Sequence, residues 1–392
     1  MNGRPVGHRR GVGYNPTSMS TKKLRYRRVV AKLGTNLLTG GQDNLDLSQI
    51  ESIVGQVARL HEQGAEVIIV TSGAVAAGRS RLGARRPRRD IPFRQVLAAI
   101  GQTNLMNAYD RFFAGHGIVT AQTLLSRRDL ADRVSYLNAR NTLLALLHYR
   151  VVPVVNENDV VAVEELAESR IGENDTLAAL TANLVDADLL ALLMTRDGLY
   201  MADPREDPTA VLVKRVDRID AEVEAYAGGS EGDGTGGMVT KLQAARLATA
   251  GGTSVVMANG REPDCLVRLA HGEEIGTLFP ATSDRLESRK RWIISGLSIR
   301  GSVVVDEGAT RALRERNTSL LAAGVREVCG PFERGDTVQI TSPEGERVAF
   351  GITNYSSDDV SAIRGAKSGQ IAEILGHDFG AEVVHRDNLV LV

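Results

Sequence analysis

Cysteines and long apolar runs are scarce in this sequence, and each scarcity excludes a class of protein. The 392 residues include two cysteines, Cys265 and Cys329, which lie far apart and lack the spacing of metal ligands. This usage fits a reducing, cytoplasmic setting. No apolar run reaches the ~18 residues of a membrane-spanning helix, so we expect no membrane partner.

Net charge is also nearly absent. Lysine and arginine number 47 against 48 aspartates and glutamates, so no overall field would draw the chain to nucleic acid or to a membrane surface. The N-terminus is the exception, because residues 1–42 contain no acidic residue. We predict a basic, disordered extension over residues 1–26, with a transit peptide as the alternative. Translation could start at Met1 or at Met19.

Apolar runs alternate with helical patterns through the first two thirds of the chain. The predicted strands are RRVVAKLG (27–34), EVIIV (66–70), VVPVV (151–155), LLALLM (189–194) and SVVMA (254–258). Between the first two strands, apolar residues from Ile50 to Leu60 recur at helical spacing, and Gly64 follows as a stop signal. This alternation predicts an α/β domain with a mostly parallel sheet flanked by helices.

The pattern changes after Trp292, where short apolar runs are separated by turn signals. A small, β-rich second domain is predicted there, and the chain is long enough for each domain to bury its own core. We predict the α/β domain over residues 27–286, a charged linker over 287–297 and the β-rich domain over 298–392.

Each predicted strand of the first domain leads into a short loop of glycine and small polar residues. Because ligands bind outside the carboxyl ends of the strands in open α/β sheets, these loops are expected to converge on one crevice. In SGAVAAG (72–78), the turn at Ser72 and the small residues after it could form an anion cradle.

The segment GGSEGDGTGGMVTK (228–241) is rich in glycine and ends in a lysine before the helical run LQAARLATAGG. It is not a Walker A motif, because Lys241 follows Thr240 and precedes a leucine. Glycines nevertheless expose consecutive backbone N–H groups to a phosphate, and a lysine near a helix start adds positive charge. A flexible surface linker is an equal alternative.

Lys32 lies at the end of the first predicted strand. Its side chain either follows apolar surface to reach water or faces the crevice. Paired with Lys241, it suits phosphoryl transfer between two anions, which needs positive charge at the transferring group.

Carboxylates cluster in the segments NEND (156–159) and GEND (172–175). Asp159 and Asp175 could be simple turn or helix-capping residues. In the functional interpretation, Asp159 and Asn174 bind a substrate ammonium or carboxylate, and Asp175 lies between the two lysines.

Taken together, these segments resemble the glutamate 5-kinases of the amino acid kinase family, from about Val29 to Val392. The resemblance is carried by VAKLGTN, VTSGAVAAG, LAAIGQ, LNARNTLLALL, VVPVVNEND, IGEND, DGLYMADPR, GTGGMVTKLQAA, GTLF and RKRWI. Aspartate, acetylglutamate, carbamate and UMP kinases share the sheet and both lysines, but not the NEND and RKRWI segments. The C-terminal segments DEGATRAL, SLLAAGV and FERGDTVQI resemble a PUA domain, a module named for its occurrence in RNA-modifying enzymes.

The resemblance implies a transferase that moves the γ-phosphoryl of ATP to the side-chain carboxylate of L-glutamate. The product, L-glutamyl 5-phosphate, is the first intermediate of proline biosynthesis, and Mg²⁺ would bridge the ATP phosphates. Lys32 and Lys241 would stabilise the transferring group, with Asp175 organising both. Family members tend to form dimers or tetramers, so a homo-oligomer is expected.

The resemblance also assigns binding residues. Glutamate would be bound by Ser72, Asp159 and Asn174. The nucleotide pocket would be lined by Lys32, Met194, Thr195, Thr235, Gly236, Gly237, Met238, Val239, Thr240 and Lys241. No side chain is assigned to a metal.

Two departures from the family pattern stand out. Met194 and Thr195 occupy the place of a Thr-Asp pair that contacts the nucleotide, whereas Asp197 keeps the spacing of a second family acid. We therefore expect weaker ATP binding. The segment 160–171 is longer than usual and lies at the glutamate end, where proline inhibits family members, so proline sensitivity is a second point of difference.

Three alternatives stay open. The first is another small-substrate kinase on the same fold. The second is RNA binding by the C-terminal domain, although its arginines are interleaved with glutamates and aromatic residues are few. The third is a regulator without activity, which the intact lysine pair argues against.

Overall fold

The computed structural model describes residues 23–83, 90–162, 173–227, 237–283, 299–316 and 318–392. The predicted linker lies outside these ranges, as does most of the predicted N-terminal extension. The domain boundaries therefore stay predictions. In the described part of the chain, no helix combines the length and apolarity needed to cross a membrane.

The N-terminal part of the described chain forms a seven-stranded sheet in the order β3-β4-β2-β1-β5-β6-β7. Its strands are β1 (Arg28–Leu33), β2 (Glu66–Val70), β3 (Thr120–Leu125), β4 (Val152–Glu157), β5 (Leu189–Met194), β6 (Ser254–Asn259) and β7 (Thr277–Phe279). All neighbouring strands pair in parallel except β6 with β7. The predicted fold class, a mostly parallel sheet flanked by helices, is confirmed.

Helices cover both faces of this sheet, which is why its central strands read as unbroken apolar runs. The helices are α1 (Thr35–Thr39), α2 (Leu47–Glu62), α3 (Ala74–Leu82), α4 (Ile91–Ala114), α5 (Arg127–Ala131), α6 (Arg133–His148), α7 (Glu173–Leu184), α8 (Ala221–Tyr226), α9 (Met238–Ala250) and α10 (Cys265–Ala270). In β1, Val29 belongs to the core shared with α2 and α4, whereas Val30 belongs to the opposite core, shared with α6, α7 and α9. The central strands are buried between these two cores.

Helices α3 and α4 pack closely because glycine lies at their contact. A Cβ atom at Gly101 would lie 1.8 Å from the backbone oxygen of Ala74, and one at Gly78 would lie 1.8 Å from that of Leu97. Only glycine permits such an approach. The contact places the α4 residue after Gly101 near the loop that follows β2.

The C-terminal domain is β-rich, as predicted. Its five-stranded sheet has the order β10-β8-β11-β12-β14, and β13 pairs separately with β9. The strands are β8 (Gly301–Val305), β9 (Leu320–Leu321), β10 (Val325–Cys329), β11 (Thr337–Thr341), β12 (Arg347–Ile352), β13 (Glu382–Val384) and β14 (Leu389–Leu391). The helices are α11 (Glu307–Arg316), α12 (Ser357–Ile363) and α13 (Ile371–Leu375), and a 3₁₀ turn (Arg386–Asn388) precedes β14. Residues of these elements form their own apolar core.

Candidate active site

The carboxyl ends of the parallel strands meet at one edge of the large sheet. Strands β4, β2, β1, β5 and β6 are neighbours in that order, so the loops after them are adjacent. The next-to-last residue of β1 is Lys32, whose neighbours across the ladder are Val70 of β2 and Leu192 of β5. This lysine is therefore set in the middle of the edge.

A buried carboxylate joins the two lysines singled out in the sequence. Asp175 lies in the first turn of α7 and is fully buried. Its Oδ1 is 2.6 Å from the Nζ of Lys32, and its Oδ2 is 3.2 Å from the Nζ of Lys241. Lys32 and Lys241 are themselves only 5% and 8% exposed. The three residues come from β1, α7 and α9, and the fold brings them together at the sheet edge.

Thr240 adds a neutral donor to this group. Its hydroxyl donates to Oδ2 of Asp175 over 2.9 Å. Burial alone raises the pKa of Asp175, but the two ammonium groups and the Thr240 hydroxyl outweigh it and hold the pKa at about 2. Asp175 is thus a carboxylate under all ordinary conditions and is unsuited to act as a general base.

The pKa of Lys241 is also lowered, and for a lysine this disfavours the charged form. Burial, and to a smaller extent the nearby ammonium of Lys32, lower the pKa of Lys241, while Asp175 opposes the change. Lys32 and Lys241 share the carboxylate of Asp175, so these three side chains together carry one net positive charge, which suits the binding of an anion.

The loop after β2 supplies the next contact. Asn174, beside Asp175 in α7, donates from Nδ2 to the hydroxyl oxygen of Ser72 over 3.1 Å. The residue after Ser72 is Gly73, whose φ of 97° lies in the left-handed region that favours glycine. This turn ends β2 and starts α3 with Ser72 buried at the crevice.

Two polar residues that the sequence interpretation missed lie next to this loop. Asn156 at the end of β4 is 1% exposed, and its Nδ2 donates to Oε1 of Gln102 in α4 over 2.8 Å. The backbone N–H of Thr71 donates to the carbonyl of Val155, which places the β2 loop beside Asn156. In the sequence, a site role for Asn156 was indicated only by its position directly after four apolar residues of a predicted strand.

Several polar atoms here are buried with no hydrogen-bond partner in the described parts of the chain. They are the acceptors Oδ1 of Asn156 and Oδ1 of Asn174, and the donor Nε2 of Gln102. Unpaired buried polar atoms are costly, so each one calls for an explanation. A small ligand that carries both an ammonium and a carboxylate would satisfy all three.

Known proteins resemble both parts of this chain. A model of the amino acid kinase family matches residues 27–259, which is more than half of the chain. The chain belongs to the amino acid kinase family. A PUA domain model matches residues 301–375 in the C-terminal domain.

Curated relatives in this family match almost the whole chain. Glutamate 5-kinase of Dehalococcoides mccartyi (strain CBDB1) is 52% identical over 368 residues, covering 94% of this chain and 99% of the relative. Glutamate 5-kinase of Herpetosiphon aurantiacus is 49% identical over 366 residues, covering 93% and 98%. Glutamate 5-kinase of Moorella thermoacetica is 47% identical over 367 residues, covering 93% and 96%. The resemblance stated from the sequence is confirmed.

The residues predicted to bind the nucleotide lie only partly within the described ranges. Thr235 and Gly236 lie outside the described residues. Gly237 directly precedes α9, which begins with Met238 and the exposed Val239 and leads to Thr240 and Lys241. A crevice of about 200 Å³ lies between Met238 and the segment after β5, and its lining includes Arg196, Tyr200, Asp203 and Tyr226.

The departure from the family pattern lies at the end of β5. Met194 is buried as the last strand residue, and Thr195 is exposed directly after it. Asp197 is held in place, because its carboxylate accepts from the Tyr200 hydroxyl over 2.9 Å and from Asn259 Nδ2 over 3.1 Å. Asp197 is thus an acceptor held by two hydrogen bonds next to the crevice.

Asp159 follows the last strand residue of β4 by two positions. It lies in the turn after β4 and is half-buried, while most of the long segment at 160–171 falls outside the described residues. Its predicted contact with glutamate stays a prediction.

Proposed function

We propose that this chain transfers the γ-phosphoryl of ATP to the side-chain carboxylate of L-glutamate. The product would be L-glutamyl 5-phosphate, the first intermediate toward proline. The observation that carries the proposal is the buried Asp175 between Lys32 and Lys241, at distances of 2.6 and 3.2 Å. The near full-length similarity to proteins named glutamate 5-kinase supports the choice of substrate.

The chemistry asks for positive charge rather than for a base. A carboxylate is already a nucleophile at neutral pH, so no proton has to be removed from it. The barrier is the approach of two anions and the charge on the transferring phosphoryl. Two buried ammonium groups, fixed before the substrates arrive, provide preorganised stabilisation of that charge.

Asp175 acts through the lysines. Without it, two ammonium groups in a buried site would repel each other, and burial would favour the neutral form of Lys241. With its two oxygens on different lysines, the carboxylate favours the charged form of Lys241 and sets the separation of the two lysines. Thr240 anchors the same carboxylate to the start of α9.

The excess positive charge of the cluster fits a nucleoside triphosphate. When bound with ATP, Mg²⁺ would neutralise part of the phosphate charge; the described residues hold no cluster of histidine, cysteine or acidic side chains that could bind it by themselves. Lys32, Lys241 and the backbone N–H groups at the start of α9 would then hold the transferring end. The crevice lined by Tyr200 and Tyr226 is suited to the nucleoside end.

The neighbouring group of unpaired polar atoms suits an α-amino acid. An α-ammonium could donate to the Oδ1 atoms of Asn156 and Asn174, and an α-carboxylate could accept from Nε2 of Gln102 and the hydroxyl of Ser72. These are the atoms that lack partners, together with a hydroxyl that accepts from Asn174. Glutamate bound in this way would direct its side-chain carboxylate toward the lysines.

The decisive experiment traps the product. ADP release from Mg-ATP would be followed with hydroxylamine present, which converts an acyl phosphate to a hydroxamate. Glutamate, aspartate, acetylglutamate and carbamate would be compared as acceptors. We expect hydroxamate from glutamate alone. Turnover of another acid would move the chain to a different kinase activity of the fold, and a folded protein that turns over none would refute the proposal.

A further inference from the structure

The LNARN segment (residues 137–141) of α6 has no part in the chemistry above, yet it carries much of the resemblance. In the structure it lies against the C-terminal domain. Leu137 forms an apolar cluster with Ile352, Val390 and the half-buried Phe350. Oδ1 of Asn138 accepts from Arg334 over 2.6 Å. The segment is therefore a contact surface for the second domain.

Arg140 is the central residue of this contact. Its side chain is 3% exposed. Nε donates to Oδ1 of Asn388 over 2.9 Å, and one terminal nitrogen donates to the carbonyl of Asp387 over 3.0 Å. Both acceptors belong to the 3₁₀ turn before β14, so the guanidinium is bound by the C-terminal domain.

The same guanidinium also binds the end of α7. One terminal nitrogen donates to the carbonyl of Leu184, the last residue of that helix, and the other donates to Oδ2 of Asp186 over 2.7 Å. Carbonyls at a helix C-terminus lack partners within the helix, and a cation is favourable there. Asp186 has a φ of 52°, a conformation that persists only where surrounding contacts hold it.

Helix α7 connects this contact to the candidate active site. Its other end carries Asn174 and Asp175, about 15 Å from Leu184 at ~1.5 Å of rise per residue. The Asp175 side chain is held by Lys32, Lys241 and Thr240, whereas the Asn174 side chain donates one hydrogen bond, to Ser72. A shift of the helix would therefore disturb the placement of the Asn174 side chain more easily than that of Asp175.

We infer that the C-terminal domain docks on the LNARN segment to fix helix α7, with Arg140 as the positioning residue that joins Asn388 to the helix end. The interaction is internal to the chain, and its effect is on the placement of Asn174 rather than on the lysine group. The structural part of this inference is independent of the reaction proposed above. The kinetic part depends on it.

The structural test uses hydrogen exchange of the full chain without substrates. Arg140 is so buried that its removal could prevent folding, so the variants are made at Asn388. Asn388→Ala removes the acceptor for Arg140, whereas Asn388→Asp keeps an acceptor. Losing a hydrogen bond to a charged group should speed exchange in the last turns of α7 roughly tenfold. Asn388→Asp should leave it near the original rate.

A control separates this effect from general loosening of the C-terminal domain. Arg314→Ala removes an ion pair with Glu346 inside that domain, at 3.2 Å, and that pair does not involve α6 or α7. We expect no change in α7 exchange for this variant. Unchanged exchange in Asn388→Ala, or equal acceleration in Arg314→Ala, would overturn the inference.

The kinetic test separates positioning from stability. In Asn388→Ala we expect the glutamate KM to rise several-fold, with a smaller change in kcat and none in the ATP KM. Asn388→Asp should restore the glutamate KM. A loss of kcat alone, or equal rises in both KM values, would contradict the placement of Asn174 as the effect. Because exchange is measured without substrates, failure of the proposed reaction would leave the structural test intact.

Discussion

Lys32 Nζ and Asp175 Oδ1 lie 2.6 Å apart, and both side chains are almost completely buried. A buried ion pair recovers its desolvation cost only with good geometry and further hydrogen bonds. Asp175 meets this condition by also binding Lys241 and Thr240. The pair is therefore a preorganised part of the candidate site.

Replacing the shared carboxylate should affect turnover more than binding. In Asp175→Asn the amide keeps the shape but cannot hold two ammonium groups, so we expect kcat to fall by about 10² to 10³, as for loss of an electrostatic stabiliser. The glutamate KM should change far less. Steady-state kinetics check this, with Thr240→Val as the milder control. A variant in which KM alone changes would contradict the organising role.

The alkaline side of the pH profile should depend on Asp175. Burial and the Lys32 ammonium lower the pKa of Lys241, and Asp175 raises it. In the proposed reaction the charged form of Lys241 stabilises the transferring phosphoryl, so kcat should fall as pH rises through this lowered pKa. Removing the carboxylate in Asp175→Asn removes the opposing effect and should move the alkaline limb to lower pH. Profiles of kcat against pH test this, and an unmoved limb would exclude Lys241 as the titrating group.

Acid should weaken the fold through the same carboxylate. The pKa of Asp175 is about 2 in the folded state, against ~3.9 for an unfolded aspartate. The folded state thus binds the proton less tightly, and the stabilisation is complete above pH ~4 and lost as pH falls toward the folded pKa. Urea unfolding of the wild type should show this loss between pH ~4 and ~2. Asp175→Asn should show a smaller decline over the same interval, and an equal decline would contradict the assignment.

How far the sequence predicts this structure depends on whether the signal is local. The runs that form β2 and β5 match the strands residue for residue, because strands buried on both faces are continuously apolar. Strand β3 was missed, since this edge strand is only partly buried and lacks such a run. The proximity of Lys32, Asp175 and Lys241 could be predicted because each residue adjoins a strand end or a helix start.

Contacts between distant segments gave no such signal. Gln102 lies inside a helix, and its pairing with Asn156 depends on how α4 packs against α3. The partners Arg140 and Asn388 are 248 residues apart in sequence. No periodicity or spacing relates such residues, so their contact becomes visible only in the fold.

The packing of α3 on α4 should be sensitive to a single methyl group. In Gly101→Ala the new Cβ would meet the Ala74 oxygen at 1.8 Å, so the helices must separate, and we expect a loss of about 1 to 3 kcal/mol, as for overpacking. Gly55 in α2 is the matched control, because nothing lies within 4 Å of its Cβ position. Gly55→Ala should gain up to ~1 kcal/mol from helix propensity. Chemical denaturation measures both, and a neutral Gly101→Ala would show that the contact is looser than described.

The exposed Thr195 offers the sharpest test of the departure from the family pattern. Restoring the acid in Thr195→Asp places a carboxylate directly after β5, beside the crevice lined by Arg196 and Tyr200. If it accepts a hydrogen bond from the nucleoside, the ATP KM should fall roughly threefold to tenfold, with the glutamate KM unchanged. Thr195→Asn is the neutral control of the same shape and should gain less. An unchanged or higher ATP KM in Thr195→Asp would show that this chain binds its nucleotide without an acid at that position.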